Sequence, residues 1–277
     1  MIRLNKILIL LFTALSFATK GQNIFDKSHS VAYANFLFNS GDYELASQEY
    51  LRISFVNNNP FYKLRLLKSY RLSGKPDVEY SLFYNFFPKY NFPNDTFAFE
   101  YLIMHRTLNL TPNYNQIMSN YHFKYEVNKN LFTLAYLLYH DQFTKALQTA
   151  NNIENTNGNK TLGKLIKIST ESAQLKFKKP LIAGVLSSII PGSGKIYSGY
   201  FWDGILSFLF VAGNTYVAYK GFNKYGISSG LGWTFSGIST FFYLGNIYGS
   251  VKAAKRKNKK LKNAIYNKVD NIINNNF

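Results

Sequence analysis

The residues that first suggest chemistry lie at positions 191–195, which read Pro-Gly-Ser-Gly-Lys. A phosphate-binding loop needs a glycine five residues before the glycine of its Gly-Lys pair, and a serine or threonine directly after the lysine. Ile189 and Ile196 occupy those two positions. The segment therefore lacks both the first glycine and the hydroxyl that contacts a magnesium ion, and it does not predict nucleotide binding.

Other catalytic and metal-binding patterns are missing from the sequence as well. His29, His105, His122 and His140 do not show the H-E-x-x-H spacing with which two histidines of one helix bind zinc. The chain contains no Gly-x-Ser-x-Gly segment, and no carboxylate pair accompanies a nucleophile. It has no cysteines, which excludes disulfides and thiolate ligands. We expect a protein that is not an enzyme and has no cofactor or metal ion.

The first 21 residues have the layout of a secretory signal peptide. Arg3 and Lys6 precede an apolar run at 7–18, and small residues follow where cleavage would occur. The alternative is an uncleaved anchor, although the run is short for a membrane span of about 20 residues. In both cases the chain after Gln22 is expected to be exported.

The composition is strongly basic, with 32 Lys and Arg against 14 Asp and Glu and a formal net charge of +18. Basic proteins often bind nucleic acids or anionic membranes. Export and the lack of a nucleic-acid-binding motif argue against nucleic acid, so membrane lipids are the expected anionic partner. The many Lys, Asn, Ile, Tyr and Phe residues also fit an AT-rich genome, which would make part of the charge background.

Residues 22–177 are predicted to form helical hairpins. Apolar residues recur at helical spacing before and after a Ser-Gly-Asp break at 40–42, which predicts two short helices joined by a tight turn. The turn and the start of the second helix contain Gly41, Asp42, Tyr43, Ala46 and Tyr50. A small residue at Ala46 lets the paired helices approach closely.

Residues 41–53, GDYELASQEYLRI, resemble the second half of a tetratricopeptide repeat, in which a Gly-Asp-Tyr turn precedes an alanine and an aromatic residue. Gly74 follows Gly41 by 33 residues, close to the 34-residue period of such repeats. Residues 140–153 repeat the pattern later, whereas Glu79 stands where an alanine is expected. The alternative is an irregular helical domain. A repeat array implies a concave surface for protein partners that are not identified.

Residues 178–251 have the composition of a segment that contacts lipid. Residues 181–190 are apolar but too few to span a bilayer, and the Pro191-Gly192 break predicts a half-helix that is either re-entrant or part of a broken crossing helix. Residues 205–219 and 227–251 are uncharged, and 220–224 is the predicted turn between them. These runs predict a membrane helical hairpin. The alternative is a glycine-rich hairpin within a folded core.

The same region resembles the short TM2-type membrane module found after repeat domains in bacterial envelope proteins. The matching residues are Pro180, Pro191, Gly192, Gly194, Tyr197, Gly199, Asp203, Gly204, Gly245, Asn246, Tyr248 and Gly249. Lys195 departs from the pattern, which usually has glutamine there. The resemblance implies an architecture and a location in the bacterial cell envelope, with the inner membrane favoured and the outer membrane possible. It implies no activity.

Two features of this module have alternative interpretations. Asp203 is expected to complement the dipole at the start of a helix and to accept backbone N–H groups, and the alternative is a polar or ion contact at the membrane. Gly245 and Gly249 form a Gly-x-x-x-Gly pair, which lets two helices approach closely in lipid and is compatible with a homo-oligomer.

Residues 252–277 are predicted to form a basic C-terminal tail. The expected contacts with anionic lipid are Lys252, Lys255, Arg256, Lys257, Lys259, Lys260 and Lys262. Such clusters bind anionic headgroups and mark the cytoplasmic side of a membrane. A two-helix hairpin after an exported domain returns the tail to the exported side, so the number of membrane crossings stays open.

The sequence therefore predicts an all-α protein with an N-terminal domain of tetratricopeptide-like helical hairpins and a C-terminal membrane hairpin preceded by a half-helix. The predicted divisions are 1–21, 22–177, 178–251 and 252–277. We expect a non-enzymatic, membrane-tethered scaffold or adaptor. The alternative is a small oligomeric component for transport or membrane insertion, which acts through the glycine-rich hairpin.

Overall fold

The computed structural model describes residues 27–153 and 158–277, and the predicted signal peptide lies outside these residues. Over the two described ranges the chain forms thirteen α-helices and no strand, which confirms the all-α prediction. The chain divides into two compact units, residues 1–124 and 125–277. This division falls inside the segment 22–177 that the sequence assigns to one repeat domain.

The described part of the first unit contains six α-helices. They are α1 (Lys27–Ser40), α2 (Tyr43–Val56), α3 (Pro60–Leu72), α4 (Pro76–Phe86), α5 (Asp95–Thr107) and α6 (Tyr114–Asn120). Proline occupies the first position of α3 and α4, where its missing N–H has no intrahelical partner to lose. The side chains of Asn59, Asn94 and Asn113 cap the starts of α3, α5 and α6 by accepting backbone N–H groups.

The hairpin of α1 and α2 has the predicted tight turn. Gly41 adopts a φ of +86°, a left-handed conformation that favours glycine. Ala46 and Tyr50 are fully buried against Ala34 and neighbouring residues, as the helical spacing predicts. Phe36 of α1 is exposed, because Ala34 and Leu37 are the apolar residues that α1 buries.

Helix α5 is the most buried helix of the first unit. Its side chains from Phe97 to Met104 are almost completely shielded from solvent. Phe97 packs edge-to-face with Phe87 just after α4, and the ring of Tyr101 packs at a tilted angle with that of Phe83 in α4. Helix α5 is therefore a core helix of the first unit.

The second unit contains seven α-helices. They are α7 (Glu126–Tyr139), α8 (Phe143–Asn151), α9 (Lys160–Ala173), α10 (Pro180–Ile189), α11 (Ser193–Tyr197), α12 (Phe201–Tyr225) and α13 (Gly230–Asn276). Helices α7 and α8 form a hairpin whose turn residue Asp141 has a φ of +59°. Phe143, Ala146 and Ala150 are buried, as their correspondence to the first hairpin predicts. Leu162 and Leu165 of α9 complete this small core.

The predicted turn between the two uncharged runs of the second unit is wrong. Residues 220–224 are helical, and the turn comes later, where Gly226 has a φ of +63° and Ser229 caps α13 by accepting from the Gly232 backbone N–H. Gly221 does not bend the chain because it packs against the backbone of Gly232. The predicted second span and the basic tail also form one continuous helix of 47 residues, α13.

The prediction of two membrane-spanning helices is not supported by helix hydropathy. Within the described residues, no helix is both long enough and apolar enough to cross a membrane. Polar side chains such as Asn214, Thr215 and Ser239 interrupt the apolar runs of α12 and α13.

The C-terminal part of α13 is not a free tail. Ile265, Val269 and Ile273 form a buried stripe on the side of α13 that faces α7 and α9. The Tyr139 hydroxyl donates to Asp270 at 2.6 Å, and Lys268 pairs with Glu171 at 2.9 Å. Helix α13 therefore packs on α12 with its N-terminal part and on α7 and α9 with its C-terminal part.

Candidate functional site

We call residues 180–251 the hairpin module; they comprise α10, α11, α12 and the N-terminal half of α13. Pro180 starts α10, and the Pro191-Gly192 break ends it, which confirms the predicted half-helix. The Tyr197 hydroxyl accepts from the backbone N–H of Lys179 at 3.2 Å, which closes α11 against the start of α10. Helices α10 and α11 thus form a pair of short helices that pack against α12 and α13.

Three glycines of the predicted motif are required by close backbone contacts. A Cβ at Gly192 would overlap the carbonyl of Gly204, and a Cβ at Gly194 would overlap the carbonyl oxygen of Ala183. A Cβ at Gly204 would approach the backbone oxygen of Gly192 to 2.6 Å. Gly199 has open space around it but a φ of +86°, so its role is conformational.

Polar side chains join the helices of the module from the inside. The hydroxyls of Ser187 and Ser250 lie 2.7 Å apart between α10 and α13, and Ser187 also accepts from the Gly194 backbone N–H at 2.9 Å. Thr215 and Ser239 form a second hydroxyl pair at 2.7 Å between α12 and α13. Small residues and hydroxyl pairs of this kind are the usual contacts between helices in lipid.

The outer surface of the module is strongly apolar. Trp202 is 74% exposed, Phe241 is 75% exposed and Ile227 is 83% exposed. Further exposed apolar side chains are Leu181, Val185, Ile189, Ile190, Phe201, Leu206, Phe208, Leu209, Phe210, Tyr216, Tyr219, Leu231, Trp233, Phe242, Leu244 and Tyr248. Exposed apolar surface of this extent marks a site of interaction with a membrane or a protein.

Asp203 and the Gly245–Gly249 pair make contacts that the sequence does not predict. Asp203 lies in the first turn of α12, but its carboxylate pairs with Arg256 at 3.4 Å and does not cap the helix. Gly249 faces the Lys195 side chain, whose Cε would lie 3.3 Å from an added Cβ. Gly245 has open space, so only one glycine of the Gly-x-x-x-Gly pair is available to another helix.

The basic residues lie along α13 directly after the module. Lys252, Lys255, Arg256, Lys259 and Lys260 are exposed, and Lys257 is half-buried. Lys262 forms an ion pair with Asp141. The Asn258 side chain exchanges two hydrogen bonds of 2.8 Å with the backbone of Lys178 and so fixes this part of α13 to the start of α10.

The first unit contains a buried charge cluster that the sequence does not single out as a site. Glu79 is fully buried at the position where a repeat has alanine, and Glu100 is buried beside it. Arg71 donates to Glu100 at 2.8 and 2.9 Å and lies 3.7 Å from Glu79. Burial, and then the neighbouring Glu100 carboxylate, raise the pKa of Glu79 to about 10. The glutamate at an alanine position is the signal that points to this cluster.

The histidines do not assemble a metal site in the part of the chain that the structure describes. No group of three or more His, Asp or Glu side chains there is arranged to hold a metal ion. His105 instead belongs to an aromatic network, since its Nδ1 lies 2.9 Å from the Tyr101 carbonyl oxygen and its Nε2 lies 3.2 Å from the Tyr84 hydroxyl. Burial lowers the pKa of His140.

The first hairpin carries several large exposed apolar side chains, most of them aromatic. Phe36, Phe55 and Val56 are largely exposed, and Tyr33 is half-exposed. Most tyrosines of this unit are at least partly buried and belong to its core. Tyr50, for example, is fully buried, and its hydroxyl donates to the Asn35 side chain at 2.7 Å. The exposed aromatic side chains are therefore distinct from the core.

Comparison with protein-family models, with curated protein sequences and with solved structures finds no match to this chain.

Proposed function

We propose that the protein is a membrane-tethered adaptor of the bacterial cell envelope, in which the hairpin module lies in a lipid bilayer and the helical hairpins bind a protein partner. The observation that carries this proposal is the polarity of the module. The hydroxyl-bearing residues Ser187, Ser239 and Ser250 are buried between helices, whereas Trp202 and Phe241 face outward. This polarity suits a hydrocarbon environment better than water.

The polar residues that lower the mean hydropathy of α12 and α13 support the same proposal. Ser239 and Ser250 are buried between helices, so lipid around the module would not contact them. Trp202 and Trp233 are exposed at opposite ends of the two helices, where the aromatic residues of membrane proteins commonly meet the headgroups. The exposed cations that follow on α13 would then contact anionic headgroups.

A site-directed labelling experiment tests the location of the module. The chain has no native cysteine, so Phe241→Cys and Asn263→Cys each give a single attachment site for a nitroxide spin label on α13. The two positions are separated by about 33 Å of helix. In vesicles, the label at 241 should be relaxed by dissolved oxygen, and the label at 263 should be relaxed by a water-soluble nickel chelate. Equal access of the nickel chelate to both labels would overturn the proposal.

The partner-binding part of the proposal rests on the exposed aromatic side chains of Phe36 and Phe55. Large exposed aromatic side chains are enriched at protein interfaces. A photo-reactive residue introduced at 36 or 55 should form a discrete crosslinked product in cells, and the same residue at exposed Asn85 of α4 should not. Identical products from 36 and 85 would contradict a specific surface.

The alternative function, an oligomeric transport or insertion component, finds less support in the module. Its sequence basis is the Gly245–Gly249 pair, and the Lys195 side chain of the same chain lies against Gly249. A second helix could therefore approach only Gly245 closely. The adaptor function does not need an oligomer.

A further inference from the structure

A cleft of mixed polarity opens on one side of the hairpin module, where α11, α12 and α13 meet. It consists of two adjoining hollows of about 410 and 470 Å³, which share Lys195 and Asp203 in their walls. Because these residues line both hollows, the two hollows form one cleft. Its two halves differ in chemistry.

The first half combines apolar walls with the polar residues Ser207 and Asn246, besides the shared Lys195 and Asp203. Leu206, Phe210, Phe241 and Phe242 line it together with Asn246. Asn246 is only 4% exposed, and among the described residues its amide oxygen and amide nitrogen have no hydrogen-bond partner. A buried amide without partners is costly, so a ligand that supplies an acceptor to the amide N–H groups would gain binding free energy.

The second half is cationic. Lys195, Lys252 and Arg256 line it against the single carboxylate of Asp203, which leaves an excess of two positive charges. The cations are held in place, since Lys195 Nζ donates to Ser207 at 2.6 Å and the Arg256 guanidinium lies 4.1 Å from the centre of the Tyr200 ring. An ordered set of lysine and arginine donors of this kind fits a phosphate group.

We propose that this cleft binds one molecule of an anionic phospholipid. Its phosphate lies among Lys195, Lys252 and Arg256, its glycerol-ester region lies beside Asn246, and an acyl chain follows Phe210 and Phe242. This assignment rests on the proposed function, because a module in the bilayer is the module that meets such lipids. It goes further by naming one bound lipid and the residues that select its headgroup.

The joint chemistry of the two halves favours a lipid over free phosphate. Inorganic phosphate would occupy the cationic half and leave the Asn246 amide and the aromatic walls without a ligand. A phospholipid has its phosphate, ester oxygens and hydrocarbon in the same order as the cations, the amide and the aromatic rings along the cleft. The observed sequence of groups therefore matches an amphiphilic anion.

Gly245→Leu is the variant that tests the cleft most directly. Gly245 lines the apolar half, and nothing lies within 4 Å of an added Cβ, so a leucine there would fill the cleft without disturbing the helix. Gly237→Leu is the matched control. It lies on the same helix, has equally open space and is absent from the walls of the cleft.

The measurement is native mass spectrometry of the full chain released from vesicles of phosphatidylglycerol and phosphatidylcholine. Wild type and Gly237→Leu should retain one phosphatidylglycerol in preference to phosphatidylcholine, and Gly245→Leu should lose this adduct about tenfold. Lys252→Gln should abolish the headgroup preference and keep an adduct. Equal retention of both lipids by wild type, or an unchanged adduct in Gly245→Leu, would overturn the lipid site.

Two further arms separate the possible sources of failure. Inorganic phosphate that displaces phosphatidylglycerol at millimolar concentration would show a plain anion site and overturn the lipid assignment. The spin label at Phe241→Cys, measured in phosphatidylcholine vesicles, reports insertion of the module without an anionic lipid. Insertion without a specific adduct would contradict this inference alone, whereas lack of insertion would contradict the proposed function.

Discussion

The hydroxyl groups of Ser187 and Ser250 lie 2.7 Å apart at the crossing of α10 and α13, and both residues are fully buried. Ser187 also accepts from the Gly194 backbone N–H, so one hydroxyl joins three segments of the hairpin module. Polar contacts of this kind hold the module together, while its exposed surface is apolar.

Ser187→Ala should therefore destabilise the module. The change leaves the Gly194 N–H without its acceptor, and we expect the free energy of unfolding to fall by about 1–2 kcal/mol. Ser188→Ala is the control, because the exposed Ser188 hydroxyl bonds only to its own helix. Denaturant unfolding of the purified chain in one detergent checks both variants. Equal losses for the two serines would contradict a specific role for Ser187.

Gly194→Ala should be much more damaging than an ordinary Gly→Ala change in a helix. Its Cβ would overlap the carbonyl oxygen of Ala183, so α10 and α11 would have to separate. We expect a loss of at least about 3 kcal/mol in the free energy of unfolding. Gly213→Ala lies in α12 with open space around it and should be neutral or stabilising by up to about 1 kcal/mol. Thermal unfolding of both variants tests the difference, and a mild effect at 194 would argue against the tight contact.

The sequence predicts the helical class, the turn at Gly41 and the half-helix before Pro191 correctly, because each has a local signal. Glycine at positive φ ends a helix, and proline cannot continue one. The predicted turn between α12 and α13 is misplaced because the run 220–224, which separates two uncharged segments, is helical. Its glycine, Gly221, packs against the backbone of Gly232. No residue in the basic run after 252 stops a helix, so a change of composition there does not mark a structural boundary.

The candidate site is less visible in the sequence than the fold. Its glycines can be found by motif, but whether a hydroxyl such as Ser239 faces inward depends on how the helices pair. The unpartnered amide of Asn246 and the pairing of Asp203 with Arg256 also arise only from tertiary contacts. Averages over a helix cannot separate inner from outer residues, which is why the inward polarity appears only in the structure.

Ile273→Ala tests whether the end of α13 is part of a folded core. Ile273 is almost completely buried, so its truncation should cost about 2–4 kcal/mol through lost burial and a cavity. Its neighbour Ile272 is only half-buried, and Ile272→Ala should cost clearly less. Urea unfolding monitored by near-ultraviolet circular dichroism distinguishes the two. Indifference to both changes would indicate a detached tail.

Glu79→Gln should make stability less dependent on pH. Burial raises the pKa of Glu79 to about 10 in the folded chain, above the ordinary 4.5, so the folded state holds a proton that the unfolded state releases. The stability contributed by this group is complete below pH 4.5 and falls as pH rises toward 10. Between these values the slope is at most about 1.4 kcal/mol per pH unit for one proton.

Urea unfolding of wild type and Glu79→Gln at pH 6 and pH 9 measures this effect. The variant should gain stability relative to wild type as pH rises. Glu44→Gln is the control of opposite sign, because the Lys75 ammonium lowers the pKa of exposed Glu44, so its contribution is present above pH 4.5 and lost only in acid. Its difference from wild type should stay constant over this range. A constant difference for Glu79→Gln as well would rule out a retained proton.

Because α13 is one uninterrupted helix, it couples the orientation of the hairpin module to that of the α7–α9 helices. A helix of 47 residues is about 70 Å long, and it has no internal joint at which the part in the hairpin module could move independently of the part packed on α7 and α9. A tilt of the hairpin in a thicker or thinner bilayer would therefore swing the α7–α9 helices through the same angle. An inserted or deleted residue between the two parts would rotate them by about 100° about the helix axis. The phase of this helix, and not only its length, therefore sets which face of the hairpin module lies on the same side as the α7–α9 helices.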